Sequence, residues 1–491
     1  MHGSICMERG VTRTQHEHGG REHDMAHGGG ADMSQMMRRH HEQTLWVWWT
    51  VVLLGFWMMA TPLTFGSGGE AVPAGGRSVP FDLATRAGAL WWSDVLSGLL
   101  LVAFGWRMLT PGRPYARWAA AFVGIWLQAA PLIFWAPSAA VYLNDTFVGA
   151  LVIALTILVP GMPAMMAIMK PGPVVPPGWT YNPSSWPQRA IMIALAFAGW
   201  LVSRYLTAYQ LGYIGQAWDP FFGEGSRRVL ESEMSELWPI SDAGLGAFAY
   251  TLEFLMGWMG GPARWRTMPW MVLFFGILVV PLGLTHIVLV ISQPVVVGAW
   301  CTMCLLAAAI MLPMIPLALD EVVAMMQLVS ARVRQGHSFW TVFWKGDTIE
   351  GGGPDERSPA MVDVPQQPVK LTAAATWGVS VPWTLAAATA AGLWLMAAPA
   401  AFGTTGAAAD SDHLAGALVA VVAVVAMAEV ARPARFLNVL LGVWLVVSGW
   451  LLGAGVPAAA NSTVAGILVA ILSLPRGPVR EQYGGWQRWI W

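Results

Sequence analysis

Charge is what this chain has least of. Of its 491 residues only 11% are Asp, Glu, Lys or Arg, where a soluble domain carries nearer a quarter. Neither sign prevails: the formal net charge is -1, and no basic block runs along the chain, which excludes a nucleic-acid binder. Three cysteines are too few for a disulfide scaffold. Collagen-like and coiled-coil chains are excluded by the same composition. What the chain has instead is 56% hydrophobic residues, 29 Trp and 53 Gly, a mixture at home in membrane helices and their interfaces. The few charges are clustered at 1–44 and 320–370, so long stretches between them are nearly uncharged. An all-α polytopic membrane protein follows.

A helical span needs about 20 apolar residues. Twelve such runs are legible: 45–65, 90–109, 116–136, 144–162, 187–208, 243–260, 268–291, 296–319, 378–402, 412–431, 434–453 and 457–475. Lys and Arg mark the cytoplasmic loops. Arg38 and Arg39, then Arg107 to Arg117, Lys170 and Arg189, Arg264 and Arg266, Arg332 to Lys345, Arg432 and Arg435, and Arg476 and Arg480 all fall on one side if every span is real. Both termini are therefore expected in the cytoplasm of a bacterium, with the protein in its inner membrane. The polar first 44 residues argue against a cleaved leader.

The first four spans recur as the last four. Ala116-Arg117-Trp118 through Gly124-Ile125-Trp126-Leu127 aligns with Ala434-Arg435-Phe436 through Gly442-Val443-Trp444-Leu445. Ser93-Asp94 and Gly98 pair with Ser411-Asp412 and Gly416, Gly55, Trp57 and Pro62 with Gly392, Trp394 and Pro399, and Asn144 and Gly149 with Asn461 and Gly466. The pattern resembles the SPW repeat family, which implies a membrane helix module and no chemistry. Asp94, Asp145 and Asp412 are expected at span ends, where a charge costs little. The expected division is a His-rich disordered tail at 1–44, an SPW-like four-helix unit at 45–170, a different four-helix unit at 187–320, a cytoplasmic linker at 321–377, a second SPW-like unit at 378–475 and a tail at 476–491.

The chemistry sits in the middle unit, in Trp300-Cys301-Thr302-Met303-Cys304. A Cys-x-x-Cys on the first turn of a helix puts both sulfurs on one side, close enough to bond. The helix N-terminus favours a thiolate, the nucleophile of thiol–disulfide exchange. By the charge parity this end faces an oxidising compartment. The plainer alternative is two small apolar residues that happen to be neighbours. Zinc is disfavoured, since four ligands are needed and only His286 is near; no metal is expected. Cys301, nearer the helix end, is the sulfur expected to meet a partner; Cys304, one turn deeper, is expected to face a membrane acceptor. His286 is a lone intramembrane histidine, read either as a hydrogen-bonding or proton-carrying site or as interhelical packing. Glu253 and Arg204 read as a structural ion pair. The loop 209–242, helical over 224–237, is read as a cover for the site or a solvated loop.

His286 to Leu306, with Gln293-Pro294, Gly298 and the Cys-x-x-Cys, resembles the active-site stretch of the vitamin K epoxide reductase family. Trp218-Asp219-Pro220 through Ser232 resembles that family's first external loop, and Trp238-Pro239-Ile240-Ser241 with Tyr250 its second helix. The resemblance covers about 187–320. It implies a four-helix bundle around a quinone of ubiquinone or menaquinone type, with Cys301 and Cys304 passing electrons to it. A thioredoxin-like periplasmic protein would be the thiol partner. Ser232, His286 and Trp300 are the candidate quinone-binding residues. The family's extra loop cysteines are replaced here by Trp218 and Ser226. The expected function is a thiol-disulfide/quinone oxidoreductase supporting disulfide formation; the alternative is a non-catalytic scaffold or transporter that retains a decayed redox unit.

Overall fold

A computed structural model describes residues 35–65, 71–112, 114–159, 170–359 and 367–490. Twelve long helices carry the fold: α1 Leu45–Thr64, α2 Leu83–Met108, α3 Pro114–Ile133, α4 Ala139–Ile153, α5 Trp186–Gln210, α6 Asp242–Trp258, α7 Pro269–Ser292, α8 Thr302–Arg334, α9 Trp383–Phe402, α10 Ala407–Val425, α11 Arg435–Leu451 and α12 Val456–Ser473. Among the described residues, eleven helices are long and apolar enough to cross a bilayer. The twelfth, α6, has 17 residues, about 26 Å of rise, and lies against α5. It stops short of the expected 260 because Met259 is extended and Gly260 takes φ +91° ahead of Pro262.

The helices associate in sequence-adjacent pairs, α1 with α2, α3 with α4, α5 with α6, α7 with α8, α9 with α10 and α11 with α12. Four of these pairs cross backbone to backbone at glycines. A Cβ on Gly98 would lie 2.5 Å from the Gly55 carbonyl oxygen, and one on Gly416 2.6 Å from that of Gly392. Gly124 with Gly149 and Gly442 with Gly466 repeat the arrangement. Small residues permit this approach. The duplication reaches the hydrogen bonds: Trp57 Nε1 donates to Asn144 (2.7 Å) as Trp394 does to Asn461 (2.9 Å). Likewise Trp126 donates to Ser93 (2.9 Å) as Trp444 does to Ser411 (3.0 Å).

Asp94, Asp145 and Asp412 are not at cheap span ends. All three are buried because each repeat turns this helix face inward. Ser462 donates to both Asp412 oxygens at 3.0 Å; at the matching place in the first repeat Asp145 stands beside Asp94 and accepts from Asn144 Nδ2 at 3.2 Å.

The segments expected as tail and linker are more ordered than their composition implies. Residues 35–43 are helical and lead into α1, while 1–34, with Cys6, lie outside the described residues. Residues 321–334 continue α8, and Phe339–Lys345 and Pro368–Ala375 are short helices. At this end of the bundle, away from the cysteines, Arg264 makes two bonds to Glu321 (2.6 and 2.7 Å) and Tyr181 donates to Asp320 (2.5 Å). The expected C-terminal tail packs into the same layer. Tyr483 is fully buried and donates to Glu429 at 2.9 Å, and Glu481 takes Arg357 at 2.5 and 2.7 Å. Burial opposes its ionisation, yet Arg357 and Thr180 hold the Glu481 carboxyl below its ordinary value.

Candidate active site

The site forms where α7 turns back into α8. Helix α7 ends in a wide turn over Gln293–Val297, closed by Gly298 at φ +66°, a left-handed conformation that costs glycine little. The chain then runs extended to Cys301, the N-cap of α8. Cys301 Sγ accepts the Cys304 N–H at 3.1 Å, and the two residues are joined as a disulfide with Cα atoms 5.3 Å apart. The pair therefore bridges N-cap and third helical position, where unpaired N–H groups and the helix dipole favour negative sulfur once the bond opens. Gln293 Oε1 accepts the Cys301 N–H at 2.9 Å, so the turn and the cysteine are tied together.

Cys301 is not the accessible sulfur that its place at the helix end suggests. It is fully buried, whereas Cys304 is half-buried. The reason lies in the loop before α6. Its helix covers only Gly225–Leu230, shorter than the expected 224–237. It packs so closely on the cysteine turn that a Cβ on Gly225 would lie 2.1 Å from the Trp300 carbonyl oxygen. Leu206, Tyr209, Leu230 and Met303 complete the apolar enclosure of Cys301.

Asp219 holds this cover in place. Its Oδ1 accepts from the Thr302 hydroxyl and from the Phe222 N–H (2.9 Å), and its Oδ2 from the Ser226 N–H (2.8 Å). Partial burial opposes the charge, but the Thr302 hydroxyl and the two backbone donors keep the carboxyl well below its ordinary range. Beneath the loop, Gln210 bonds Ser235 (2.7 Å), Asp242 (2.6 Å) and Ser241 (2.5 Å). Sequence reasoning did not single out Asp219, Thr302, Gln210 or Gln293 as site residues. A glutamine or aspartate flanking an apolar run was the available signal.

The other candidates occupy separate places. Ser232 donates to the Val229 carbonyl at 2.7 Å, in the turn after the loop helix. Trp300 lies between the Phe222 ring (6.4 Å) and the ring of His413 on α10 (5.6 Å). His286 bonds its Nδ1 to the Leu282 carbonyl (2.9 Å) and faces the Tyr250 ring at 6.1 Å. His286 lines a cavity of about 520 Å³ that Ser232 and Trp300 do not. Trp218 is exposed and Ser226 fully buried beside the Asp219 carboxylate. Arg204 and Glu253 do not pair. Arg204, on α5, donates to Thr146 of α4 (2.8 Å) and stacks on Tyr142 and Trp200, while the buried Glu253 carboxyl has no hydrogen-bond partner. The cavity beside Arg204, about 620 Å³, is lined by α3, α4, α5 and α6 and touches neither cysteine.

Both flanking helix groups reach this site. Arg77 donates to the Ser235 carbonyl (3.1 Å) and Trp135 to that of Pro239 (2.9 Å), which braces the loop from the first group. His413 touches Trp300 from the last.

Comparison with known proteins agrees with this layout. Residues 190–319 match the model of the Vitamin K epoxide reductase family, and residues 78–159 and 382–475 match the SPW repeat domain. No curated protein and no solved structure matches the chain. The middle segment thus carries a membrane oxidoreductase role of thiol type, in a multi-pass membrane protein.

Proposed function

We propose that this protein oxidises the thiols of a periplasmic thioredoxin-like partner and delivers the electrons to a membrane quinone of ubiquinone or menaquinone type. The carrying observation is the closed Cys301–Cys304 pair at the start of α8, inside the segment matched to the Vitamin K epoxide reductase family. We place it in a bacterial inner membrane with both termini cytoplasmic, so that the pair faces the periplasm. The division into an SPW-like unit, a redox unit and a second SPW-like unit is part of the same reading.

The residues suit the chemistry. A quinone, when bound, supplies a two-electron acceptor soluble in the bilayer. The cavity at His286 is apolar apart from that histidine and Thr389, and begins at Leu305, next to Cys304, so the residues present fit such a group. His286 and Thr389 are the hydrogen-bonding side chains there. The His286 Nδ1–H is committed to Leu282, which leaves the Nε2 lone pair to accept from a hydroxyl. As Cys301 and Cys304 close, two electrons and two protons leave the dithiol for the acceptor.

In the thiol half, a partner thiolate attacks Cys301 Sγ and Cys304 departs as a thiolate stabilised by the helix start. The partner's second thiol then attacks the mixed disulfide, leaving the partner oxidised and the pair reduced. With Trp218 and Ser226 at the places where the resemblance implies a second cysteine pair, no internal relay intervenes. The Gly225–Leu230 cover must move for that attack, because Cys301 is buried.

The test is trapping in cells. Cys304→Ala should accumulate a mixed disulfide between Cys301 and a soluble periplasmic protein, visible on a non-reducing gel. Cys301→Ala should abolish it. A Cys304→Ala protein that captures nothing would remove direct exchange and leave a non-catalytic membrane scaffold.

A further inference from the structure

We propose that the isoprenoid tail of the quinone lies between α7–α8 and α9–α10, so that the second SPW-like group forms half of the acceptor site. The proposal rests on the quinone reading above and goes further by assigning a binding role to helices outside the redox unit.

The space available near Cys304 points there. Within the α5–α8 bundle Tyr250, Phe275, Val279, Met311 and Met314 are buried together in one cluster. A Cβ on Gly199 would lie 2.4 Å from the Tyr250 ring. Among the described residues, an open volume lies on the outer face of α7 and α8. It measures about 520 Å³, within the range of small-ligand sites, roughly 300–1,000 Å³. On α8 its wall runs from Leu305 to Ile315, ten residues or about 15 Å of rise. Cys304 shares a helix face with Ala308 four residues on, one turn toward the helix start. The opposite wall is Leu393 and Met396 of α9 and Val421 and Val424 of α10.

The chemistry of the walls selects the occupant. No charged residue lines the cavity, so an anionic or zwitterionic headgroup finds no partner. Thr389 donates to the Leu385 carbonyl at 2.9 Å and His286 Nδ1–H to that of Leu282 at 2.9 Å, which leaves each side chain an acceptor toward the cavity. Acceptor lone pairs for the hydroxyls of the reduced head, and hydrocarbon elsewhere, suit a quinol with an isoprenoid chain. Helix α10 is also the helix that sets His413 on Trp300, the residue before Cys301, so the same element touches both ends of the site.

A long-tailed quinone carrying a photoreactive diazirine on its chain, added to the full-length protein in lipid nanodiscs, tests this. Label should fall on peptides covering residues 389–424. Leu393→Trp, at a side chain 57% exposed, and Val421→Trp, on the neighbouring helix, should each cut that label. Each should also raise KM for the long-tailed quinone about tenfold, the equivalent of losing roughly two buried methylenes, and leave KM for a tail-less quinone unchanged. Label confined to α5–α8, no label, or equal label in wild type and both variants would overturn the proposal. Wild-type protein that takes the label at 389–424 but transfers no electrons would keep the tail site and remove the redox reading. Electron transfer with the label elsewhere would do the reverse.

Discussion

At the scale of single residues, the decisive contact is Asp219 with Thr302. It joins the covering loop to the helix that carries both cysteines. A hydrogen bond to a charged group is worth about 1.5–3 kcal/mol, and the lower end applies to a carboxyl this open to water. Thr302→Val or Asp219→Asn should therefore expose Cys301 about tenfold more often. The reduced protein should then show a correspondingly faster alkylation of Cys301 and no change at Cys304. The pH dependence has a definite sign. A carboxyl whose value is depressed contributes fully above its unfolded value, about 4, and loses that contribution as the pH falls through the lower folded one. Alkylation of Cys301, corrected for thiolate fraction, should thus be flat from pH 5 to 9 and rise only in acid. Equal rates in wild type and both variants would show that Asp219 does not hold the loop.

At the scale of elements, the glycine crossings within helix pairs should matter more to the flanking groups than the tryptophan hydrogen bonds that join one pair to the next. A side chain at Gly98 would meet the Gly55 carbonyl oxygen and Met59 within 2.7 Å. Overpacking of this kind costs about 1–3 kcal/mol or more. The Trp126–Ser93 bond spans the same group of helices, and interhelical bonds in membranes average about 0.6 kcal/mol. Gly98→Leu should consequently lower the stability of the folded protein in detergent several times more than Trp126→Phe, measured by unfolding in increasing dodecyl sulfate. The reverse order would make the hydrogen bonds the main tie. Most of this level was legible beforehand. Helix existence and the duplication follow from runs of apolar residues and from residues repeated at a fixed offset, which are local properties, whereas the pairing came from the structure. The boundaries were less legible: α8 starts at Thr302, later than expected, because Gly298 and the extended Trp300 segment delay it, and it runs to Arg334.

At the scale of the whole molecule, the parity of basic loops predicts that residue 230 and the C-terminus lie on opposite sides of the membrane. Reporter fusions at those two places should give opposite readings. The same side for both would overturn the span count and the compartment assigned to Cys301. The middle helices are held from both flanks, by Arg77 and Trp135 at the loop and by α10 at the cavity. The flanking groups are thereby part of the site's architecture.

The sequence by itself determined the membrane class, the all-α spans, the duplication and the redox pair, since run length, repeat offset and Cys-x-x-Cys spacing depend only on neighbours along the chain. Tertiary structure alone decided what each of those residues faces. Cys301 became the buried sulfur because a loop 75 residues upstream, at Ser226, folds over it. Asp94, Asp145 and Asp412 went inside because two helices present the same face to each other. Arg204 and Glu253, plausible as a pair by charge, were parted because α5 turns Arg204 toward α4 and α6 buries Glu253 elsewhere. The cavity at His286 exists only where α7 and α8 meet α9 and α10, helices about a hundred residues apart in the chain. No local pattern encodes which faces of distant helices will meet.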